Sequence, residues 1–184
     1  ENVLAKKFNS KYSVGFNSAT SALHIACMAL GIKKNDIVWT CTNSFVASSN
    51  CALYCGAKIE LIDIDLETFN ISLVELEKKL ISAQKKNKLP KLLIPVHFAG
   101  LPCDMKKIHN LSRRYGFKIL EDASHAVGAK YFSEKIGSCK YSNITVFSFH
   151  PVKIITTAEG GAALTNDKQL NEKLKLYRNH GITR

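Results

Sequence analysis

Strand-like and helix-like segments alternate along nearly the whole chain, and this alternation restricts the fold more than any other feature. Val14-Gly15-Phe16, Asp36-Ile37-Val38-Trp39-Thr40, Lys58–Asp63, Lys91–His97, Phe117–Asp122 and Ile144–Phe147 are short apolar or alternating runs of strand length. Helical signals stand between them. A helix is predicted from Thr20 to Leu30, closed by Gly31, and another from Ser44 to Cys55, closed by Gly56. Ser72 and Glu75 form a capping box ahead of Leu76, Leu80 and Ile81. Asp104 caps a helix whose apolar face is Ile108, Leu111 and Tyr115. Such alternation predicts a three-layer α/β/α sandwich around a mostly parallel sheet. No repeat or linker divides the 184 residues, so a single domain over 1–184 is expected.

Charge and cysteine usage narrow the function. The net charge is +11, but the basic residues are dispersed in small groups such as Lys85-Lys86 and Arg113-Arg114. There is no basic stripe interleaved with aromatics, which argues for a solvated lysine-rich surface and against a nucleic-acid interface. No run has the length for a membrane span or the order of a signal peptide. The six cysteines lie mostly in apolar segments and do not pair with histidines at ligand spacing. Reduced, buried thiols, no metal and a cytoplasmic location are expected.

Lys153 is the residue with the clearest chemical role. The strand Ile144–Phe147 runs into Ser148-Phe149-His150-Pro151-Val152-Lys153, and Gly160-Gly161 permit a tight return into Ala162–Thr165. A lysine on a short loop at the end of an interior strand is placed to attack a carbonyl carbon. Asp122 closes another strand, at the carboxyl end where open α/β sheets place ligands, and His125 follows it by three residues. Val14–His24 reads as strand, turn and helix start, where Thr20, Ser21 and free N–H groups form an anion cup organised by Asn17. An amine for an imine bond, an acid for a pyridinium nitrogen and a phosphate cup are what pyridoxal 5′-phosphate (PLP) needs from a protein.

Four pieces carry a family resemblance: Asn17–His24, Ser44-Phe45-Val46-Ala47-Ser48, Glu121–Ala129 and Ser148–Lys153. Together they resemble the DegT/DnrJ/EryC1/StrS family of PLP-dependent sugar aminotransferases, whose fold is that of aspartate aminotransferase (fold-type I). The resemblance covers essentially all of the chain. It implies that Lys153 holds PLP and shuttles a proton, that Asp122 pairs with the ring nitrogen, and that Phe45 stacks on the ring. It implies phosphate contacts from Thr20, Ser21 and Ser148, and a contact of His125 with the ring face or its phenolic oxygen. Ser124 stands where many relatives carry Ala. Glu159 is placed to support the Lys153 loop, and Arg178 and His180 to meet a dimer partner or a substrate phosphate. Loop or helix-end charges describe these last three equally well.

The implied reaction transfers the amine of glutamate to C4 of a nucleotide-linked 4-keto-6-deoxy sugar, in amino-sugar synthesis for surface glycans. Retention of lysine at 153 favours transamination over the dehydration run by relatives with histidine there. A homodimer is implied, as is a longer protein whose N-terminal segment and small C-terminal domain lie outside these residues. Two alternatives remain: a different fold-type I enzyme such as a cysteine desulfurase, which needs a reactive thiol near the lysine (Cys139 is the nearest), and a non-catalytic member of the family.

Overall fold

The computed structural model describes residues 1–182. In chain order the elements are α1 (Asn2–Phe8), β1 (Tyr12–Phe16), α2 (Ala19–Ala29), β2 (Ile37–Cys41), α3 (Ala47–Leu53), β3 (Lys58–Ile62), α4 (Leu73–Lys85), β4 (Leu92–Ile94), α5 (Met105–Tyr115), β5 (Lys118–Asp122), β6 (Lys130–Tyr131), β7 (Glu134–Lys135), β8 (Ile144–Ser148), β9 (Gly161–Thr165) and α6 (Lys168–Arg178). Seven strands form one sheet in the order β1-β9-β8-β5-β4-β2-β3. The ladder from β8 to β3 is parallel throughout. Only β9 runs against its neighbours β8 and β1. The hairpin β6–β7 stands apart as a two-stranded ribbon.

The period of two along the strands splits the core into two layers. Val38, Leu92, Leu120 and Val146 pack with α2, α3 and α6 through Leu23, Leu30, Cys51 and Leu174. Their strand neighbours Trp39, Leu93 and Ile119 pack on the other face with Leu76 and Leu80 of α4 and Ile108 of α5. A third cluster joins Phe8, Ile136, Phe147 and Phe149. The expected three-layer sandwich and mostly parallel sheet are therefore observed. No helix of the described residues is long and apolar enough to cross a membrane.

Capping residues act where the sequence places them. Ser72 Oγ accepts the Glu75 N–H at 3.3 Å, and Asp104 Oδ1 accepts the Lys107 N–H at 3.2 Å. Gly31 and Gly56 follow α2 and α3 with positive φ.

Two boundaries differ from expectation, those of α3 and β4. Helix α3 starts at Ala47 rather than Ser44, because Val46 occupies the N-cap without a side-chain cap bond. Short i→i+3 bonds, Ser48 N–H to Phe45 C=O and Ser49 N–H to Val46 C=O at 3.1 Å each, wind its first turn instead. Phe45 is thereby left on the loop. Strand β4 ends at Ile94 because Pro95 has no N–H for the ladder; Val96 bridges Asp122 alone. Helix α6 ends at Arg178, before His180 and Gly181, which both adopt positive φ.

These choices bring the ends of β2, β5 and β8 and the start of α2 to one edge of the sheet. Gly161, the first residue of β9, makes that convergence possible. A Cβ there would lie 2.5 Å from Ala19 N and Ser18 C, so only glycine lets the sheet touch the start of α2.

Candidate functional site

A cavity of about 300 Å³ opens at this edge, and Thr20, Phe45, Asp122, His125, Ser148 and Lys153 all line it. They come from four parts of the chain. Thr20 lies in the first turn of α2, Phe45 on the loop after β2, Asp122 and His125 at and beyond the end of β5, and Ser148 and Lys153 at and beyond the end of β8.

Asp122 is 3% exposed. Its Oδ1 accepts the Ser124 N–H at 3.1 Å and the Ser124 hydroxyl at 2.6 Å. Its Oδ2 accepts the Ser48 hydroxyl at 2.5 Å. Such a donor set suits a buried carboxylate in its charged form. Nothing local in the sequence marks either serine as a partner of this acid. The available signal for Ser48 was a hydroxyl among the apolar residues Val46, Ala47, Cys51 and Ala52.

Lys153 is half-buried. Pro151 sets the turn that carries it, closed by the Lys153 N–H to His150 C=O bond at 2.9 Å. His125 lines the same cavity as the lysine and the acid and feels the charge of both. Burial pushes its imidazole below the ordinary value, the charge of Lys153 pushes it further down, and Asp122 opposes the shift without reversing it. The ring is thus neutral at neutral pH. Gly100, at φ +89, lets the loop after β4 come against the His125 carbonyl, from which an added Cβ would be 2.8 Å away.

Phe45 is 70% exposed and lines the cavity, so its ring is open to a ligand and is not part of the core. Ser148 is buried, and its Oγ accepts the His150 N–H at 3.4 Å. At α2, Ser18 is the N-cap and accepts the Ser21 N–H at 3.1 Å. The N–H groups of Ala19 and Thr20 then have no acceptor among the described residues.

Ser21 does not join them. Its hydroxyl bonds Asn17 Oδ1 at 2.6 Å and Ser18 Oγ at 2.9 Å, and it faces a separate surface depression beside His24 and Arg178. Glu159 lines the main cavity, 3.8 Å from His150 Nε2. Arg178 lies elsewhere, tied to Glu1 at 2.5 Å and to the Gly15 carbonyl at 2.8 Å. His180 follows α6 and does not reach the cavity. Cys139 is buried and bonded to the Leu164 carbonyl at 3.1 Å. Burial, then the charge of Glu121, pushes its thiol up to about 12, which makes it a poor nucleophile.

Known proteins resemble this chain in sequence and in fold. The chain is 44% identical over its full 184 residues to the UDP-4-amino-4,6-dideoxy-N-acetyl-beta-L-altrosamine transaminase of Campylobacter jejuni, of which it covers 47%. Its fold matches Helicobacter pylori PseC, an aminotransferase involved in pseudaminic acid biosynthesis, with a TM-score of 0.89 and 34% identity over all of this chain and 48% of that one. It also matches NtdA of Bacillus subtilis, solved with bound PMP, with a TM-score of 0.87 and 30% identity over 99% of this chain and 39% of that one. The chain spans about half the length of the curated relatives it matches. The family model for DegT/DnrJ/EryC1/StrS aminotransferases matches residues 1–184, and the chain belongs to that family.

Proposed function

We propose that these residues form the PLP-binding part of a sugar-nucleotide aminotransferase, which transfers the amine of glutamate to C4 of a UDP-linked 4-keto-6-deoxy sugar. The observation that carries the reading is that Lys153 and Asp122, from different strands, line one cavity together with the exposed ring of Phe45. The donor set fits PLP part by part: a buried acid for the pyridine nitrogen, an aromatic face, two open N–H groups with the Thr20 and Ser148 hydroxyls for a phosphate, and an amine for the aldehyde.

PLP, when bound, supplies an electron sink for the carbanion that forms at the amino-donor Cα. The chain's own residues do the rest. Asp122 would keep the ring nitrogen protonated by holding a negative charge beside it. Phe45 would cover one ring face and exclude water from it. Lys153 Nζ would hold the cofactor through its aldehyde and would carry the proton lost from the donor Cα. His125 lines the cavity with the acid and the amine, and its imidazole would exchange a hydrogen bond with the phenolic oxygen. Because the thiol of Cys139 is buried and bonded, desulfurase chemistry has no nucleophile there.

A homodimer is part of the proposal. Val152, Ile154 and Ile155, on the Lys153 loop, are 77%, 65% and 50% exposed, and Phe45 and Val46 are exposed as well. An apolar rim of this kind around the cavity supports coverage by a second copy. The net charge of +11 favours approach of a nucleotide diphosphate. A cytoplasmic site of action fits the six free cysteines.

The test is spectroscopic and kinetic. The protein mixed with PLP develops a band near about 420 nm, a general property of lysine-bound PLP, and Lys153→Ala abolishes it. Glutamate-dependent amination of a UDP-4-keto-6-deoxy sugar then separates this enzyme from other PLP enzymes. No band with the unaltered protein would sink the cofactor reading, and a band without amination would sink the substrate reading.

A further inference from the structure

A hydroxyl buried in an apolar seam needs an acceptor, and the one Ser48 uses is Asp122. Ser48 lies in the first turn of α3 with no exposed surface, beside Ala47, Cys51 and Ala52, which pack into the core under α2. Its Oγ donates to Asp122 Oδ2 at 2.5 Å. Its own N–H donates to the Phe45 carbonyl at 3.1 Å. Through one residue, the backbone that carries Phe45 is tied to the carboxylate at the end of β5. Ser124 takes the other oxygen, Oδ1, from the loop beyond β5. The carboxylate is therefore gripped at both oxygens from two different elements. Rotation about its Cβ–Cγ bond breaks at least one grip.

We propose that Ser48 is a positioning residue that sets the Phe45 ring and the Asp122 carboxylate in fixed register, so that a pyridine ring lying on Phe45 presents its nitrogen to the acid. The inference rests on the cofactor reading above and goes beyond it in assigning the register to one buried hydroxyl. Ser124 orients the acid and has no hydrogen bond to the Phe45 loop among the described residues. Loss of Ser124 Oγ therefore frees the carboxylate alone, whereas loss of Ser48 Oγ frees the carboxylate and loosens the loop together.

Two measurements test it, one with PLP and one without. In Ser48→Ala the dissociation constant for PLP rises roughly tenfold, the loss expected for one hydrogen bond to a charged group, and the visible circular dichroism of the bound ring diminishes. Ser48→Thr, which keeps the hydroxyl, restores the dichroism. In the cofactor-free protein, amide hydrogen exchange over residues 45–49 accelerates in Ser48→Ala and stays at the unaltered rate in Ser124→Ala. The proposal is overturned if Ser48→Ala matches the unaltered protein in affinity and dichroism, or if exchange over 45–49 is unchanged. Failure of the unaltered protein to take up PLP overturns the cofactor reading instead; the exchange measurement still decides whether Ser48 ties the loop to the acid.

Discussion

Glu121 and Asp122 are consecutive residues at the end of β5, yet they serve opposite layers of the sheet. Asp122 faces the α3 side and the cavity, bonded to Ser48. Glu121 faces the α5 side, where it meets His97 Nε2 at 2.8 Å, the Thr145 hydroxyl at 2.9 Å and the Ser142 hydroxyl. His97 in turn accepts the Cys103 N–H on Nδ1 at 3.1 Å. His97 Nε2 thus faces the Glu121 carboxylate while Nδ1 meets the loop after β4. Its backbone N–H also reaches the Asp122 carbonyl at 3.1 Å. The acid at the cavity thus stands on a strand end braced from behind by a buried polar cluster.

That cluster predicts an acid-sensitive brace. Burial alone would raise the carboxyl of Glu121, but the bonds from His97, Ser142 and Thr145 outweigh it and hold the group below the ordinary carboxylate value. A depressed folded value means that the unfolded chain binds more protons through the window between the two values. The stabilisation is therefore complete above the unfolded value of about 4.3 and is lost as pH falls through the folded one. His97→Ala, which leaves Glu121 buried without its partner, is expected to cost about 2–4 kcal/mol at neutral pH in denaturant unfolding. Glu121→Gln should flatten the acid limb of the stability curve. An unaltered acid limb in Glu121→Gln would refute the role given to this carboxyl.

Titration of His125 reports the cavity without any ligand. Burial and the Lys153 charge lower its pKa while Asp122 works against them. Lys153→Met should therefore move the His125 pKa up, and Asp122→Asn should move it down, both read from imidazole proton shifts in NMR. If neither substitution moves it, the three side chains do not share one cavity.

Much of this geometry is legible in the sequence because the physics is local. Ser72, Asp104, Gly31 and Gly56 mark helix ends through their own hydrogen bonds and φ angles. Strand ends put Asp122 and Lys153 on one sheet edge because parallel strands share a carboxyl end. What escapes the sequence is tertiary. The run Ser44–Cys55 has helical composition from its first residue, but the exit from β2 keeps Phe45 out of the helix. Ser48 looks like a neutral helix residue until Asp122, 74 positions away, comes within 2.5 Å. Ser21 is one residue from Thr20, yet the 100° turn of a helix sends its hydroxyl to Asn17. The hairpin β6–β7 is too short to leave a periodic signal.

Gly161 should tolerate no side chain. A Cβ there would meet Ala19 N and Ser18 C at 2.5 Å, and both are backbone atoms that cannot swing aside. Gly161→Ala must push β9 from the start of α2, at a cost of about 1–3 kcal/mol. The same displacement opens the anion cup, so PLP affinity should fall together with the unfolding midpoint. A variant that binds PLP normally would show that the contact between β9 and α2 does not shape the cup.

Thr20 and Ser21 offer the sharpest contrast. Thr20 lines the cavity beside the open N–H groups at the start of α2, whereas the Ser21 hydroxyl is engaged with Asn17 and Ser18 outside it. Thr20→Val keeps the shape and removes the hydroxyl, and should weaken PLP binding roughly tenfold, as expected for one bond to a phosphate. Ser21→Ala removes only a bond within the Asn17 turn, so its effect on binding should be several times smaller. Pyridoxal, which lacks the phosphate, separates cup from ring: Thr20→Val should leave its binding unchanged. Equal losses in Thr20→Val and Ser21→Ala would mean that the helix start turns on binding to bring Ser21 inward, and that the cup seen here is not the one that holds the phosphate.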